Sequence, residues 1–310
     1  MTPQSTLGKS GPSRQGSTDS PVTRAVLITA SLLFLTLFLI LPMAAVFIEA
    51  LRDGFSVYLA AITDESTLAA IRLTLLALAI AVPLNTVFGI AAAWAITRFE
   101  FRGKSLLITL IDLPFAVSPV ISGMLYVLLF GRQGLLGPFL EAHDIQVIFA
   151  VPGIVLATVF VTFPFVAREL IPFMQSRGTE EDQAALVLGA SGWQTFFRVT
   201  LPNIKWGLLY GVVLCAARAM GEFGAVSVVS GHIRGETNTA SLHVEVLYNE
   251  YHFAAAFSVA SILLGLSILT LAAKRFIAWR AEAARQELLK MSEVQEEPAA
   301  DLWRAAAEGG

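Results

Sequence analysis

The sequence predicts an all-α integral membrane protein with six transmembrane helices. Of its 310 residues, 55% are hydrophobic and only 15% are charged, and the mean hydropathy is +0.69. A soluble chain of this length would carry roughly a quarter charged residues. None of the apolar segments alternates as the strands of a membrane β-barrel do. Six apolar runs exceed the roughly 20 residues that a spanning helix needs, and they cover residues 25–51, 68–97, 105–130, 148–174, 204–230 and 252–277.

The segment before the first run, residues 1–24, is rich in Ser, Gly, Thr and Pro, which predicts a disordered tail. A signal peptide is the alternative, but the apolar run that follows exceeds the usual length of about 7–15 residues. Gly8-Lys9-Ser10 resembles the end of a phosphate-binding loop, but Pro3 stands where that motif requires Gly. With no other nucleotide motif in the sequence, we expect that this chain is not an enzyme and does not hydrolyse ATP by itself.

Positive charge is distributed unevenly among the segments that connect the runs. Most Lys and Arg residues lie in the two tails and in the loops after the second and fourth runs, whereas the other loops hold only Arg52, Arg132 and Arg234. The positive-inside rule therefore places both termini and the loop 175–203 in the cytoplasm. An even number of spans also requires the termini to share one side.

The loop 175–203 carries the signals of two short amphipathic helices. Thr179 is an N-cap candidate and is followed by three acidic residues, which a helix N-terminus favours. Gly189 is expected to end this helix in a left-handed conformation, Ser191 to cap the second, and Pro202 to stop it. The apolar face would suit a groove on a partner protein, with a helix on the membrane surface as the alternative; it comprises Leu186, Val187, Trp193, Phe196 and Phe197.

The spacing in this loop resembles the EAA loop of bacterial ABC importer permeases. That pattern is Glu-Ala-Ala, three residues, Gly, nine residues, Ile, one residue and Leu-Pro, and it is matched by Gln183-Ala184-Ala185, Gly189, Val199 and Leu201-Pro202. Two positions depart from this pattern: Gln183 replaces Glu, and Val199 replaces Ile. Gln183 removes a charge, which puts a salt bridge at that position in doubt. In the family, this loop is the coupling helix that docks on the ATPase subunit. The resemblance therefore implies that ATPase coupling involves Gln183, Ala184, Ala185, Leu186, Gly189, Trp193, Leu201 and Pro202.

The resemblance extends over roughly residues 25–280, the predicted permease domain, and leaves a cytoplasmic tail at 281–310. Three segments are similar to sulfate/thiosulfate permease subunits, most of all to the W-type subunit. They are LPFAVSPV at 113–120, RAMGEFGAVSVVSG at 218–231 and IRGET at 233–237. Molybdate and tungstate permeases share the EAA loop and much of the motif at 221–224, so they remain the alternative within the family. A secondary anion transporter or channel is the alternative from another class, but no convincing inverted repeat is apparent.

The resemblance therefore implies a subunit of an ATP-driven sulfate or thiosulfate importer in the bacterial inner membrane. The resemblance implies three kinds of partner: a second permease subunit of the T-type, a pair of ATP-binding subunits and a periplasmic sulfate-binding protein. It implies no cofactor and no nucleic acid. Whether the permease pairs with itself or with a sister subunit stays open at this point.

Ionisable residues within spans are costly and usually face the interior of a bundle. Five stand out in the predicted spans, namely Arg72, Asp112, Arg168, Arg218 and Glu222. The helical rise puts Asp112 and Arg168 at one depth and Arg72 and Glu222 at another, which predicts two ion pairs. Arg218 would then be left to attract a dianion such as sulfate. Alternatively, Arg218 pairs with Glu222 one turn further on.

Proline and small residues predict where the spans bend and pack. A third span broken at Pro114 and Pro119 would free backbone groups beside Ser118 and Ser122. The candidate pathway residues are therefore Ser118, Ser122, Arg218 and Glu222. A further kink is expected at Pro164, and the G-x-x-x-G spacing of Gly207 and Gly211 predicts close helix packing.

No metal site is predicted from the histidines or the single cysteine. The histidines lack ligand spacing and are expected at or near the outer surface; they are His143, His232, His243 and His252. Cys215 lies in an apolar run with no second cysteine, so no intrachain disulfide can form.

Overall fold

The computed structural model describes residues 21–308, which form helices and loops with no strand. Five of these helices are long and apolar enough to cross a membrane over Pro21–Ala50, Glu65–Arg98, Val151–Arg177, Gly192–Met220 and Phe253–Arg280. A sixth span exists only if the pair Lys104–Ala116 and Pro119–Phe130, bent by 107°, is counted as one. The all-helical membrane fold is thus confirmed, with the third predicted span broken before Pro119.

We number the helices in chain order. They are α1 (Pro21–Ala50), α2 (Phe55–Thr63), α3 (Glu65–Arg98), α4 (Lys104–Ala116), α5 (Pro119–Phe130), α6 (Gly137–Ala142), α7 (Val151–Thr162), α8 (Pro164–Arg177), α9 (Glu180–Val187), α10 (Gly192–Met220), α11 (Gly224–Val229), α12 (Ala240–Asn249) and α13 (Phe253–Glu308). The predicted tail 1–24 lies largely outside the described residues, and helix α13 continues through the predicted C-terminal tail to Glu308.

The chain divides after Val46 into two compact units. The first contains most of α1, and the second begins at Phe47 and contains the other helices. Within the second unit, α3 packs on α7, α8 and α10. Asn85 of α3 is buried there and donates hydrogen bonds to the Thr162 hydroxyl (2.8 Å) and the Val159 carbonyl (3.2 Å). This polar link holds α3 against α7.

Small residues allow α10 to approach α8 closely, as the G-x-x-x-G spacing predicts. A Cβ atom added to Gly207 would lie 2.8 Å from the Phe173 ring, and one on Gly211 would lie 3.3 Å from the Val166 Cα. Larger side chains at these positions would push the two helices apart. Within the bilayer, such close contact replaces the hydrophobic driving force that water provides elsewhere.

The fifth apolar run, residues 204–230, is not one helix as predicted. Helix α10 ends at Met220, and the short helix α11 follows after a break at Gly221. Helix α11 folds against α5, where a Cβ atom on Gly224 would lie 2.9 Å from the Pro119 Cβ. Apolar composition continues through the break, so the hydropathy pattern alone does not reveal it.

The break in the third span lies at Val117 and Ser118, directly before Pro119. Both residues have extended ψ angles, 133° and 135°. The residue before a proline is disfavoured in the helical region, which favours a break at Ser118, although Leu113 before Pro114 remains helical. Pro114 stays inside α4.

Candidate coupling loop and pathway residues

The predicted turn between the two short helices of the loop is present. Gly189 has φ of +88°. The Ala190 amide donates to the Ala185 carbonyl and the Gly189 amide to the Leu186 carbonyl, both at 3.0 Å. This pair of hydrogen bonds is a Schellman motif, which ends α9 and satisfies its last carbonyl groups.

The second helix begins at the predicted cap but does not stop at the predicted proline. The Gln194 amide donates to the Ser191 hydroxyl (3.3 Å), and the Ser191 amide donates to the Gln194 side chain (2.8 Å), forming a capping box. A π-helical turn over Phe196–Thr200 then leads directly into the membrane span. Pro202 lies just after this π-helical turn, and α10 continues through it to Met220.

Thr179 does not cap α9 with its side chain, which corrects the prediction. Its hydroxyl instead accepts a hydrogen bond from the Gln183 amide group at 3.0 Å. The first turn of α9 is held by tertiary contacts of its acidic residues. Glu181 accepts a hydrogen bond from Asn203 of α10, and Asp182 forms an ion pair with Arg98.

Arg98, at the end of α3, joins three parts of the loop. One terminal nitrogen lies 2.7 Å from the Asp182 carboxylate, and the other donates to the Gly178 carbonyl at 2.6 Å. The second Asp182 oxygen accepts from the Thr200 hydroxyl at 3.0 Å. Both charged side chains are 14% exposed. Sequence reasoning missed this cluster because Arg98 contributed only to the loop charge and Asp182 only to the helix dipole.

Most of the predicted apolar face of the loop is exposed. Phe196 is the exception, because it is buried against the Trp94 ring with centroids 4.8 Å apart. Trp193 and Phe197 stack on one another, with centroids 5.9 Å apart. Exposed apolar patches are typical of interaction sites. We call it the loop face, and it consists of Leu186, Val187, Leu188, Trp193 and Phe197.

The remaining residues of the predicted coupling set lie around this patch. Gln183 and Ala184 are exposed, whereas Ala185 and Leu201 are half-buried. Pro202 is exposed at the beginning of the span. The structure therefore brings the set together on one loop, while its contact with an ATPase stays a prediction.

Arg218 pairs with Glu222, which agrees with the alternative interpretation of these charges. Their side chains are 2.6 Å apart, and the Glu222 side chain is only 1% exposed against 34% for Arg218. Glu222 also accepts a hydrogen bond from the Ala225 amide at 2.9 Å, at the start of α11. The predicted pair of Arg72 with Glu222 is therefore wrong. Arg72 is exposed and has no carboxylate within 4.0 Å among the described residues.

The two serine candidates differ in exposure. Ser118 is exposed at the break of the third span, whereas Ser122 is buried and donates its hydroxyl hydrogen to the Ser118 carbonyl at 3.2 Å. The contact between Pro119 and Gly224 brings this break next to the one at Gly221. Two interrupted segments thus meet, and a role of their residues in the pathway stays a prediction.

The predicted pair of Asp112 and Arg168 is present, with Arg168 Nε 3.1 Å from the carboxylate. Their side chains are 40% and 55% exposed. Sequence reasoning missed a neighbouring charge, Glu169, although an acidic residue inside an apolar run was a sufficient signal. Glu169 is half-buried in the same span and close enough to Lys274 to interact with it electrostatically.

His243 is buried and not at the surface, which corrects the prediction. Its Nε2 lies 3.1 Å from the Thr67 hydroxyl at the start of α3, and Nδ1 lies 3.5 Å from the Asn238 amide group. Burial lowers the pKa of His243 below its usual value, and Arg234 lowers it further. Within residues described by the structure, no three His, Cys, Asp or Glu side chains come together as metal ligands would. Cys215 is buried and unpaired there.

Comparison with known proteins identifies similar membrane subunits. Residues 85–282 match the model of the family described as "Binding-protein-dependent transport system inner membrane component". The chain is 54% identical to the sulfate transport system permease protein CysW of Synechococcus elongatus, with 82% of this chain and 89% of the relative covered. It is 52% identical to the CysW protein of Escherichia coli, over 83% and 88% of the chains. The CysT protein of Escherichia coli is 39% identical, over 78% and 87%.

A solved structure confirms the fold. A chain of the bacterial alginate ABC transporter, in complex with an alginate pentasaccharide-bound periplasmic protein, matches with a TM-score of 0.67. The match covers 83% of this chain and 92% of that one, at 17% identity. At this identity, the comparison concerns architecture alone.

Proposed function

Because the chain belongs to the binding-protein-dependent inner membrane component family, we propose that it is the permease subunit of an ATP-driven sulfate importer. The assignment of sulfate as the substrate rests on the sequence identity of 54% and 52% to two W-type sulfate permeases over more than four fifths of the chain. Thiosulfate has the same charge and a similar tetrahedral shape, so we include it as a substrate. In this proposal the chain lies in the bacterial inner membrane with both termini in the cytoplasm.

The partner set consists of a second permease subunit, two ATP-binding subunits and an external sulfate-binding protein. A T-type permease is 39% identical to this chain, which supports a related sister subunit as the second permease. The alginate transporter resembling this chain was solved with a periplasmic protein, which supports delivery of the substrate from outside. ATP binding to the paired subunits would rock the two permeases between outward and inward openings.

Coupling would take place at the loop face. Helices α9 and α10 present exposed apolar side chains there, including Val187 at 87% and Trp193 at 70% exposure. The loop is fixed to the end of α3 through Arg98 and continues directly into a span through α10. A push on this face would therefore move two membrane helices together. ATP hydrolysis by a partner subunit would change the conformation of the permease through this contact.

The test is uptake of radiolabelled sulfate by proteoliposomes that contain the complete importer, with ATP inside and binding protein outside. We expect uptake that requires ATP and that thiosulfate inhibits. Molybdate and tungstate serve as competitors, since permeases for these anions are the alternative within the family. Strong inhibition by molybdate with weak inhibition by thiosulfate would overturn the assignment to sulfate. Uptake that persists without ATP would instead indicate a secondary transporter or channel.

A further inference from the structure

Helix α4 has two exposed strips of opposite character. The first, at spacing i, i+4, i+7 and i+11, holds small and polar residues, namely Ser105, Thr109, Asp112 and Ala116. The second consists of Leu106, Leu110 and Leu113, which are 62%, 49% and 43% exposed. On the remaining side, Ile111 and Pro114 are buried, whereas Ile108 and Phe115, next to the polar strip, are 38% and 48% exposed. We call the first set the polar strip and the second the apolar strip.

The polar strip carries a half-exposed ion pair inside a membrane-spanning segment. Asp112 is 40% exposed and Arg168 55% exposed at the level of their side chains. Asp112 lies about 12 Å along the helix from Lys104, by a rise of roughly 1.5 Å per residue. Charged side chains at such positions face the bundle interior or a water-filled cavity and not lipid. The polar strip is therefore expected to face water or protein, whereas the apolar strip suits lipid.

The guanidinium group of Arg168 is only partly used by its partner. Its Nε atom contacts Asp112 at 3.1 Å, and the group lies over the Phe115 ring with Cζ 5.0 Å from the centroid. The carboxylate approaches the guanidinium most closely at Nε and not at its two terminal nitrogens. These nitrogens form the flat edge that binds planar or tetrahedral oxyanions through two parallel hydrogen bonds.

The polar strip ends at the interruption of the third span. Ala116 is followed by extended residues at Val117 and Ser118, and Ser118 is exposed. Non-helical backbone at membrane depth is tolerated only where protein surrounds it or where it lines a water-filled cavity. Two independent features, a half-exposed ion pair at Asp112 and an exposed break at Ser118, thus follow one another closely in the chain.

We propose that the polar strip of α4 lines the permeation pathway in the half of the membrane that holds the coupling loop, with Arg168 as the contact for the passing dianion. Asp112 holds the guanidinium in place through Nε and leaves the terminal nitrogens free for the oxyanion. The paired carboxylate also weakens the hold on the anion, which lets it leave. This inference rests on the proposed sulfate transport and adds the residues that meet the substrate.

Cysteine accessibility tests the water-filled surface. In a Cys215→Ser background, we compare Thr109→Cys with Leu110→Cys, and Ala116→Cys with Leu113→Cys, in the assembled importer. A charged, membrane-impermeant methanethiosulfonate reagent should modify the polar-strip cysteines about tenfold faster, because only the thiolate reacts and an apolar setting keeps the thiol protonated. Equal and slow modification of each pair in an importer that takes up sulfate would overturn the proposal. That result would mean that the sister subunit covers the strip, and it would leave the proposed function intact.

Sulfate uptake by charge variants tests the role of Arg168. We expect that Arg168→Gln lowers uptake at limiting sulfate about tenfold, as the loss of one charged hydrogen-bond donor to the anion predicts. The double variant Arg168→Gln with Asp112→Asn should stay equally low. If Arg168 only neutralises Asp112, the double variant would regain most of the uptake, because no unpaired carboxylate remains. That recovery would overturn the anion contact. If the importer without substitutions takes up no sulfate, that result would instead count against the proposed function.

Discussion

Arg98 and Asp182 join the end of the second span to the first helix of the loop 175–203, with 2.7 Å between nitrogen and oxygen. The pair is supported on both sides, because Arg98 also donates to the Gly178 carbonyl and Asp182 accepts from the Thr200 hydroxyl. Both side chains are largely buried at 14% exposure. The loop is thus anchored to α3 and α10 by charge-assisted hydrogen bonds, which are roughly twice as strong as neutral ones.

Removal of this anchor should uncouple ATP hydrolysis from transport. We expect that Asp182→Asn lowers ATP-driven sulfate uptake several-fold while the ATP-binding subunits still co-purify, because the loop face itself is unchanged. The number of sulfate ions moved per ATP hydrolysed is the measurement. Glu180→Gln is the control, since Glu180 is an exposed acidic residue of the same helical turn. Equal ratios for both variants and the original protein would contradict the anchoring role.

Substitution of Gly189 should disturb the loop through the backbone alone. A Cβ atom at Gly189 has nothing within 4 Å, but φ is +88°, which costs a non-glycine residue about 1–2 kcal/mol. We expect that Gly189→Ala weakens transport and that Gly189→Val or Gly189→Pro abolishes it, with the protein still inserted. Co-purification of the ATP-binding subunit measures the effect.

Gly192→Ala provides the matched control for these variants. Gly192 lies in the same loop and has equal free space, but its φ is not positive. Its replacement should change uptake little. Normal ATPase recovery together with normal uptake in Gly189→Val would remove the coupling role from this turn.

Arg218 and Glu222 should behave as a pair. We expect that Arg218→Gln destabilises the protein by about 3 kcal/mol, near the lower end for broken buried pairs, because Arg218 itself is 34% exposed. The double variant with Glu222→Gln should recover much of the lost sulfate uptake, since no buried carboxylate is left unpaired. Uptake of the two single variants and the double variant decides the question. A double variant as defective as Arg218→Gln would favour attraction of the anion by Arg218.

Acid should weaken the packing of α12 on α3 through His243. Burial lowers the pKa of His243 in the folded protein, so the unfolded state binds more protons below about pH 6.5. The contribution of neutral His243 to the stability of the folded protein is therefore complete above that pH. It is lost progressively as the pH falls towards the lowered pKa of His243. We expect that the melting temperature in detergent falls more steeply between about pH 7.5 and pH 5.5 than in His243→Gln. His252→Gln, at an exposed position, should retain the steep fall, and a steep fall in His243→Gln would contradict this assignment.

Local chemistry explains which features could be predicted from the sequence. Gly189 and Ser191 could be assigned because a left-handed turn and a capping box depend on neighbouring residues only. The pair of Arg218 with Glu222 was one of two alternatives because helical neighbours meet at i,i+4. The contact of Arg98 with Asp182 joins distant parts of the chain, and no spacing rule indicates it. The burial of His243 likewise depends on how α12 packs.

Hydropathy locates apolar segments but does not show where they break. The end of α10 at Met220 lies inside an apolar run, and the Glu222 side chain accepts a hydrogen bond from the Ala225 amide in the first turn of the next helix. The break before Pro119 could be predicted, because proline restricts the residue before it, but the break predicted at Pro114 is absent. The polar strip of α4 could also be found from its spacing once the helix bounds were known.

Photo-crosslinking at Val187 tests the central claim most directly, namely that the loop face binds the ATP-binding subunit. A photoreactive amino acid replaces Val187, which is 87% exposed on the loop face, or Leu135, which is 81% exposed on the loop after α5. Irradiation of the assembled, transport-active importer should join Val187 to the ATP-binding subunit, and the Leu135 probe should not form this product. A crosslink to the ATP-binding subunit from Leu135 and none from Val187 would contradict the account.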